Sequence, residues 1–278
     1  MSAGPRGPEA ALSARSLLFV PGCRPDRIDK ALLSGADLTV IDLEDAVHPS
    51  AKVEARRATR AALDGGAAAA VRINNDVSGE LFAADVAELA TVGDRLLAVV
   101  LPLAMPARLR RLRELLPTST VVIALVETAH GLAALSKIVA ASDRLAFGHL
   151  DFAADLRCVP GAELVGHARA QLVLHSRLGE LPAPIDGVTT DVRNASATER
   201  DARMAAQEGL GGKLCIHPAQ VPVVNQAMSP SAEEVAWARA ALAAASGTGL
   251  AVLDGQMVDA PVLERARWIL RRSDGADA

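Results

Sequence analysis

Aromatic residues are scarce in this sequence. It has no tyrosine, two tryptophans and four phenylalanines among 278 residues. Half of the residues are nevertheless hydrophobic, so the core has to be built mainly from Ala, Val, Leu and Ile. A chain of this length is well above the size at which a single core becomes marginal, and it fits one large α/β domain or two small ones.

Cysteines, long apolar runs and basic clusters are also few, and each shortage excludes a class of protein. The three cysteines, Cys23, Cys158 and Cys215, are far apart and form neither a disulfide framework nor a CxxC metal pattern, which is typical of the cytoplasm. No apolar run reaches the roughly 18 residues of a membrane span, so no membrane partner is expected. The formal net charge is −4 without a basic block, which argues against nucleic acid as a partner.

Short apolar runs alternate with longer amphipathic stretches along most of the chain. The apolar runs predict eight strands, at 17–20, 38–43, 69–73, 96–101, 120–126, 144–147, 185–188 and 213–216. Eight βα units in a chain of this length predict a (β/α)8 TIM barrel, an α/β fold. The alternative is a doubly wound open sheet, which is less favoured because the segment after the first strand, FVPGCRPDR, is not a GxGxxG phosphate loop.

We divide the chain into three parts on this basis. Residues 1–14 are expected to form a flexible leader, and residues 15–229 form the barrel. Residues 230–278 form a C-terminal extension of helix, hairpin and helix. Because these few elements are not expected to have a core of their own, we predict that they pack on the outside of the barrel or, as our preferred assignment, on a neighbouring subunit.

Local signals in the extension support this order of elements. Ser231 lies three residues before Glu234, the spacing of a helix capping box. Asp254 and Gly255 are the pair typical of a hairpin turn. Pro261 is placed at or near the first turn of the last helix.

Polar residues follow several predicted strands, where the active sites of TIM barrels lie. They are Asp42, Glu44, Asp45, Arg72, Asn74, Glu127, Asp151, Asp155, His217 and Gln220. Carboxylates without clustered His or Cys suit Mg²⁺, which takes one or two protein carboxylates and keeps several waters. We therefore predict Glu127 and Asp151 as direct ligands, with Glu44 and Asp45 accepting hydrogen bonds from metal-bound water.

Arg72 is the predicted partner of a substrate carboxylate. Its guanidinium can hold a carboxylate through two parallel hydrogen bonds. A metal beside an arginine is suited to stabilising an enolate or a 2-oxo acid, which is Lewis-acid chemistry.

Structural roles compete with functional ones at these positions. A single carboxylate after a strand is more often an N-cap or a turn residue, and we interpret Asp42 and Asp143 in that way. His217 is left open between bracing its loop and contacting the ligand. His149, in the loop after the sixth strand, is treated mainly as a structural histidine.

Seven segments of the chain together resemble a known family. They are RSLLFVPG (15–22), DLEDAVHPSAKVEAR (42–56), VRIN (71–74), VETAHGL (126–132), FGHLDFAADL (147–156), GGKLCIHPAQV (211–221) and DGQMVDAPVLERAR (254–267). In this order they resemble the citrate lyase β-subunit-like proteins of the HpcH/HpaI aldolase family, which also includes malyl-CoA and citramalyl-CoA lyases.

The resemblance implies a (β/α)8 barrel, a Mg²⁺ cofactor, trimers or hexamers, and cleavage of a 3-hydroxyacyl-CoA thioester to an acyl-CoA and a 2-oxo acid. It implies that Glu127 and Asp151 hold the metal and that Arg72 holds the oxo-acid carboxylate and its developing oxyanion. Glu44 and Asp45 correspond to carboxylates around the waters of the metal.

The resemblance also implies roles outside this group. Asp259 corresponds to an acid/base that enters the site of a neighbouring subunit. Arg15, Lys52 and Arg56 are expected to contact the phosphates or carboxylates of the CoA ester. Leu103 is a departure, because relatives often have lysine there.

Three activities remain open on the sequence. The preferred one is a carbon–carbon lyase that performs reversible Claisen-type cleavage. The alternatives are a thioesterase acting on malyl-CoA with the same metal and a non-catalytic subunit that binds CoA esters.

Overall fold

The computed structural model describes residues 7, 9–245, 251–253 and 255–273. Eight parallel strands close into a barrel in chain order, which confirms the predicted TIM barrel. The strands are β1 (Ser16–Pro21), β2 (Leu38–Asp42), β3 (Ala69–Arg72), β4 (Leu96–Leu101), β5 (Val121–Val126), β6 (Arg144–Phe147), β7 (Ile185–Asp186) and β8 (Gly212–Cys215).

Helix α1 precedes the first strand, and the other helices follow the strands and surround the barrel. They are α1 (Glu9–Ser13), α2 (Pro25–Leu32), α3 (Lys52–Asp64), α4 (Glu80–Leu89), α5 (Pro106–Leu115), α6 (Ala129–Ala133), α7 (Leu135–Val139), α8 (His149–Asp155), α9 (Glu163–Leu178), α10 (Ala195–Gln207) and α11 (Gln220–Met228). Two 3₁₀ turns, Pro49–Ala51 and Gly93–Arg95, precede α3 and β4. No helix among the described residues is long and apolar enough to cross a bilayer.

The strands supply two hydrophobic clusters because successive side chains point to opposite faces of a strand. Leu17, Val40 and Ala70 lie in the smaller cluster inside the barrel. Leu18 and Ile41 lie in the larger cluster between the barrel and its helices. Since the inner cluster is built largely from Ala, Val, Leu and Ile, the scarcity of aromatic residues is compatible with a filled barrel.

The N-terminal end of the barrel is closed by α1, so residues 9–14 of the predicted flexible leader are part of the folded barrel, and the rest of that prediction lies mainly outside the described residues. Ala11 and Ala14 are buried against the inner cluster. The fully buried Arg144 donates from Nη1 to the carbonyl oxygens of Ala11 (3.0 Å) and Ala14 (2.9 Å), and from Nε to that of Ala183 (3.0 Å). Three carbonyls thus accept hydrogen bonds from the buried guanidinium.

The C-terminal extension consists of α12 (Ala232–Ala244), the antiparallel hairpin of β9 (Ala251–Leu253) and β10 (Gln256–Val258), and α13 (Ala260–Ser273). The expectation that it lacks a core is wrong, because it has its own cluster of buried side chains, formed by Ala238, Ala241, Val258, Ala266 and Ile269. It also contacts the barrel, where Arg272 donates to the carbonyl of Met228. Its packing on a neighbouring subunit stays a prediction.

The structure contains most of the local features that the sequence predicts in the extension. Ser231 and Glu234 form the predicted capping box at the start of α12. Gly255 has a φ of +78° at the hairpin turn, a left-handed conformation that glycine adopts at little cost. Asp254, the other predicted turn residue, lies outside the described residues.

Candidate active site

Three polar side chains are directed to the inside of the barrel at its C-terminal end by strand alternation. Val40, Ala70 and Leu125 belong to the inner cluster. Asp42, Arg72 and Glu127 each follow one of them by two positions, and side chains two apart share a face of a strand.

Arg72 is fixed mainly by Asp42. Its Nε and Nη2 donate to Asp42 Oδ1 (2.7 Å) and Oδ2 (2.6 Å), and its guanidinium lies 4.9 Å from the ring centre of Phe19. Asp42 is 1% exposed and also accepts the backbone N–H groups of Glu44 and Ala46. The contacts agree with the interpretation of Asp42 as structural and show that it orients Arg72.

The charge state of Arg72 follows from these contacts. Burial works against its charge, but the hydrogen bonds to Asp42 and the nearby charges of Asp42, Glu44 and Asp45 more than offset it and raise the pKa of Arg72 above its ordinary value. The side chain is therefore a permanent cation at the barrel mouth.

Glu44 and Asp45, grouped together by the sequence, differ in the structure. Glu44 Oε2 lies 2.9 Å from Arg72 Nη1, yet this buried oxygen accepts no hydrogen bond of acceptable geometry among the described residues. Burial raises the pKa of Glu44 to about 7; the charge of Arg72 opposes the rise, and those of Asp45 and Asp42 add to it. Asp45 lies on the rim, 3.5 Å from Arg72 Nη1 and 74% exposed.

Glu127 is the most deeply buried carboxylate of the predicted metal set. It is 4% exposed, and its Oε1 accepts the backbone N–H of Leu103 at 2.6 Å. Burial raises the pKa of Glu127 to about 8; the Leu103 N–H opposes the rise, and the charges of Glu44 and Asp151 add to it. A Cβ atom at Gly148 would overlap Glu127 Oε2, so glycine is needed beside this oxygen.

Asp151 belongs to the same end of the barrel. It lies in the first turn of α8, is exposed, and is close enough for its charge to raise the pKa of Glu127. Glu127 and Asp151, the two predicted ligands, are thus brought together, although their role as ligands stays a prediction.

The other polar residues near the strand ends mainly hold loops. Asp155 accepts the backbone N–H of Ala129 at 2.7 Å. Gln220 Oε1 accepts the N–H groups of Ile216 and His217, and its Nε2 donates to the Thr189 carbonyl.

The two histidines also have structural contacts. His217 Nδ1 accepts the N–H of Ala219 at 3.2 Å, which favours the loop-bracing alternative for His217. His149 packs so closely on Gly187 that a Cβ there would overlap its Nδ1.

The donor set fits a hard divalent cation. Among the described residues, no group of three or more His, Cys, Asp or Glu side chains is arranged as a metal site. Mg²⁺ needs only one or two protein carboxylates. Glu44 Oε2 accepts no well-aligned hydrogen bond despite its ion pair with Arg72, and Gly148 leaves room at Glu127 Oε2, so each carboxyl group has an oxygen available to a cation or to its bound water.

Comparison with known proteins decides the family. The sequence profile of the HpcH/HpaI aldolase/citrate lyase family matches residues 15–218. The chain belongs to this family. It is 38% identical over 270 residues to the citrate lyase subunit beta-like protein of Mycobacterium tuberculosis, a match that covers 93% of this chain and 95% of that protein.

Other members of the HpcH/HpaI family extend the comparison. An L-malyl-CoA/beta-methylmalyl-CoA lyase of Cereibacter sphaeroides is 31% identical, with 96% of each chain covered. A crystal structure of CitE from M. tuberculosis in complex with magnesium, acetoacetate and coenzyme A is 35% identical, with a TM-score of 0.81 over 94% of this chain and 98% of that one. The resemblance read from the sequence motifs is thereby confirmed.

In this HpcH/HpaI family member, Arg15 does not lie at the mouth, which corrects its assignment to substrate binding. Arg15 immediately precedes β1, so it lies at the N-terminal end of the parallel barrel, opposite Arg72. Its Nε and Nη2 donate to Asp37 (2.8 and 3.0 Å), and its Nη1 donates to Ser229 Oγ (2.7 Å).

Lys52 and Arg56, also assigned to substrate binding, are committed to holding loops. Lys52 Nζ donates to the carbonyls of Leu43 (2.8 Å) and Glu44 (2.7 Å) and is largely buried. Arg56 Nε donates to Asp85 (2.8 Å), and Asp85 in turn accepts the backbone and side-chain N–H groups of Asn74. Both side chains therefore hold loops at the barrel mouth in place through these hydrogen bonds.

Asp259 lies outside the mouth in the extension. It precedes α13, is exposed, and its Oδ1 accepts the backbone N–H of Val262 at 3.2 Å, which is a helix N-cap contact. Its proposed action in a neighbouring subunit stays a prediction.

The sequence reasoning missed two contributors to the site. One is the backbone N–H of Leu103, and the other is Gly148, which makes room for Glu127. A backbone donor leaves no signal in residue type, whereas the glycine in FGHLD, directly after β6, was visible in the sequence.

Proposed function

We propose that this protein is a Mg²⁺-dependent carbon–carbon lyase. It reversibly cleaves a 3-hydroxy-carboxyacyl-CoA of the malyl, citramalyl or citryl type to an acyl-CoA and a 2-oxo acid. The observation that carries the proposal is one oriented cation, Arg72, beside two buried carboxyl groups, Glu44 and Glu127, at the mouth of the barrel. Family membership, and the magnesium and coenzyme A bound to CitE, support it.

The residues of this chain divide the work. Glu127 and Asp151 would hold the Mg²⁺, which supplies Lewis-acid stabilisation at the substrate hydroxyl and carboxylate oxygens. Glu44 and Asp45 would orient water in the coordination shell. Arg72, held by Asp42, neutralises the carboxylate that becomes part of the oxo acid.

The cleavage step balances as a retro-Claisen reaction. A base takes the hydroxyl proton, the oxygen forms the carbonyl of the oxo acid, and the electrons of the broken C–C bond pass to the thioester as its enolate. Asp259 of a neighbouring subunit then protonates the enolate carbon, and in the condensation direction the same carboxylate removes that proton. This route requires an oligomer, and we predict a trimer or a hexamer. We also predict a cytoplasmic location.

The test is a substrate panel with separate detection of the two possible products. Purified protein with Mg²⁺ is incubated with citramalyl-CoA, malyl-CoA and citryl-CoA, and 2-oxo acid and free thiol are measured. We expect oxo acid with an acyl-CoA and no free thiol. Free CoA with an intact hydroxy acid would instead identify a thioesterase, and binding without turnover would identify a non-catalytic subunit.

The raised pKa of Glu127 predicts a Mg²⁺ effect on stability that grows with pH. The folded chain ionises Glu127 near pH 8, above the ordinary value of 4.5, so between these values it binds more protons than the unfolded chain. Its stability without metal therefore falls as pH rises. Even a pKa difference of one between the folded and unfolded chains corresponds to about 1.4 kcal/mol, or roughly 3 °C in a domain of this size.

We therefore expect the Tm in EDTA to fall by at least about 3 °C between pH 6 and pH 8.5, and Mg²⁺ to restore most of the loss. Glu127→Gln should reduce the fall, and Glu44, whose pKa is raised in the same direction, accounts for the remainder. Differential scanning calorimetry measures both. A Tm in EDTA that is the same at the two pH values would contradict the assignment.

A further inference from the structure

Leu103 places an apolar side chain beside the site. Its backbone nitrogen lies 2.6 Å from Glu127 Oε1. Since Cβ is two bonds from that nitrogen, it lies within about 5 Å of the same oxygen. Leu103 is 40% exposed, and Met105, two residues further on, is 37% exposed. The connection between β4 and α5 thus presents uncovered aliphatic surface at the mouth.

The backbone at Leu103 is held in an unfavourable conformation by several contacts. Its φ of +47° lies in the left-handed region, where a leucine is strained. Asn75 Nδ2 donates to the carbonyls of Pro102 (2.8 Å) and Leu103 (3.3 Å), and the next N–H, from Ala104, donates to Leu125 (3.1 Å). Strain that the surroundings maintain is typical of functional segments. The position of Leu103 is therefore fixed.

The positive charges closest to the carboxylates are already engaged. Arg72 contacts Asp42, Glu44 and Asp45. Lys52 donates to two backbone carbonyls. A substrate carboxylate held by Mg²⁺ and Arg72 uses the charge available there. A second carboxylate of the substrate, placed beside Leu103, would meet the aliphatic side chain of Leu103 on one side and the carboxyl group of Glu127 on the other.

Building on the lyase function proposed above, we propose that the substrate carries a single free carboxylate, with hydrogen or a small alkyl group on its hydroxyl-bearing carbon. Leu103 is the residue that determines this specificity. Its side chain contacts the alkyl group and disfavours a carboxymethyl group at the same position, because a charge against an aliphatic side chain loses its hydration without gaining a partner.

Two substrates that differ only at this group provide the test. Citramalyl-CoA carries a methyl group where citryl-CoA carries a carboxymethyl group, and their oxo-acid products, pyruvate and oxaloacetate, are measured with separate coupled assays. We expect kcat/KM to favour citramalyl-CoA by about tenfold or more. A wild-type preference for citryl-CoA would overturn the proposal.

The matched variants are Leu103→Lys and Leu103→Met, both unbranched at Cβ, so that the backbone strain is the same. Leu103→Lys should move the ratio of the two kcat/KM values toward citryl-CoA by about tenfold or more, because the ammonium can pair with the second carboxylate. Leu103→Met should leave the ratio within about twofold of the wild type. An unchanged ratio in Leu103→Lys would also overturn the proposal.

A binding measurement separates this proposal from the lyase assignment. Wild-type protein with Mg²⁺ is titrated with pyruvate and with fresh oxaloacetate by calorimetry. Pyruvate is expected to bind at least as tightly as oxaloacetate, whereas tighter binding of oxaloacetate would contradict the specificity of Leu103. If pyruvate is preferred but no thioester is cleaved, the specificity stands and the lyase function fails.

Discussion

Glu127→Gln is expected to lower Mg²⁺-dependent cleavage by about a thousandfold or more. Glutamine keeps the oxygen that accepts the Leu103 N–H, so the loop after β4 remains anchored. It removes the negative charge that the metal needs, and with it the Lewis-acid stabilisation of the developing oxyanion. The measurement is kcat/KM for oxo-acid formation over a range of Mg²⁺ concentrations.

The control for this variant is Glu114→Gln, on the exposed face of α5, where Glu114 pairs only with Arg111 among the residues that the structure describes. It should keep wild-type activity. Glu127→Gln should also be at least as stable as the wild type in EDTA at pH 8.5, because a buried charge has been removed. A stable Glu127→Gln protein with wild-type turnover that resists EDTA would refute the metal assignment.

Arg72→Lys is expected to impair both stability and activity. A lysine cannot reproduce the two parallel bonds to Asp42, which would then be buried without a full partner. Removing one partner of a buried ion pair costs about 3–5 kcal/mol of unfolding free energy, and this is the upper limit for Arg72→Lys because lysine keeps the positive charge. We expect kcat/KM to fall about a hundredfold or more as well, since the cation would no longer be oriented toward the substrate carboxylate. Urea unfolding and the coupled assay measure the two effects.

The chain contains a matched control for the effect on stability. Arg24 makes the same two-bond contact with Asp26, at 2.9 Å for each bond, but both side chains are exposed to solvent. Exposed pairs contribute little, so Arg24→Lys should leave the unfolding midpoint almost unchanged. Equal effects of the two substitutions would show that the burial of Arg72 does not matter.

The barrel and the core of its site followed from periodicity. Alternation along β2, β3 and β5 is enough to direct Asp42, Arg72 and Glu127 to the same interior face, provided that the parallel order is known. Glu44 and Asp45 could not be separated in this way because they follow the strand, where the chain turns. Their burial depends on the loop that Lys52 holds through the Leu43 and Glu44 carbonyls.

Other predictions failed because motif membership does not say where a side chain points. Arg15 belongs to a matching motif, but it stands before its strand rather than after it, and so lies at the opposite end of the barrel. The core of the extension was missed because it is made from isolated small or aliphatic residues on α12, β10 and α13. The left-handed conformation of Leu103 depends on contacts with Asn75 and Glu127, which are remote in sequence.

Arg144 has a consequence for the order in which the protein folds during synthesis. Its bonds to Ala11 and Ala14 join residues 133 and 130 positions apart. At typical translation rates the guanidinium leaves the ribosome on the order of ten seconds after α1. Until then, the carbonyls of Ala11 and Ala14 lack this donor, and the apolar interior of the nascent half-barrel remains open. Completion of the barrel floor is therefore a late event, which cannot precede the arrival of β6.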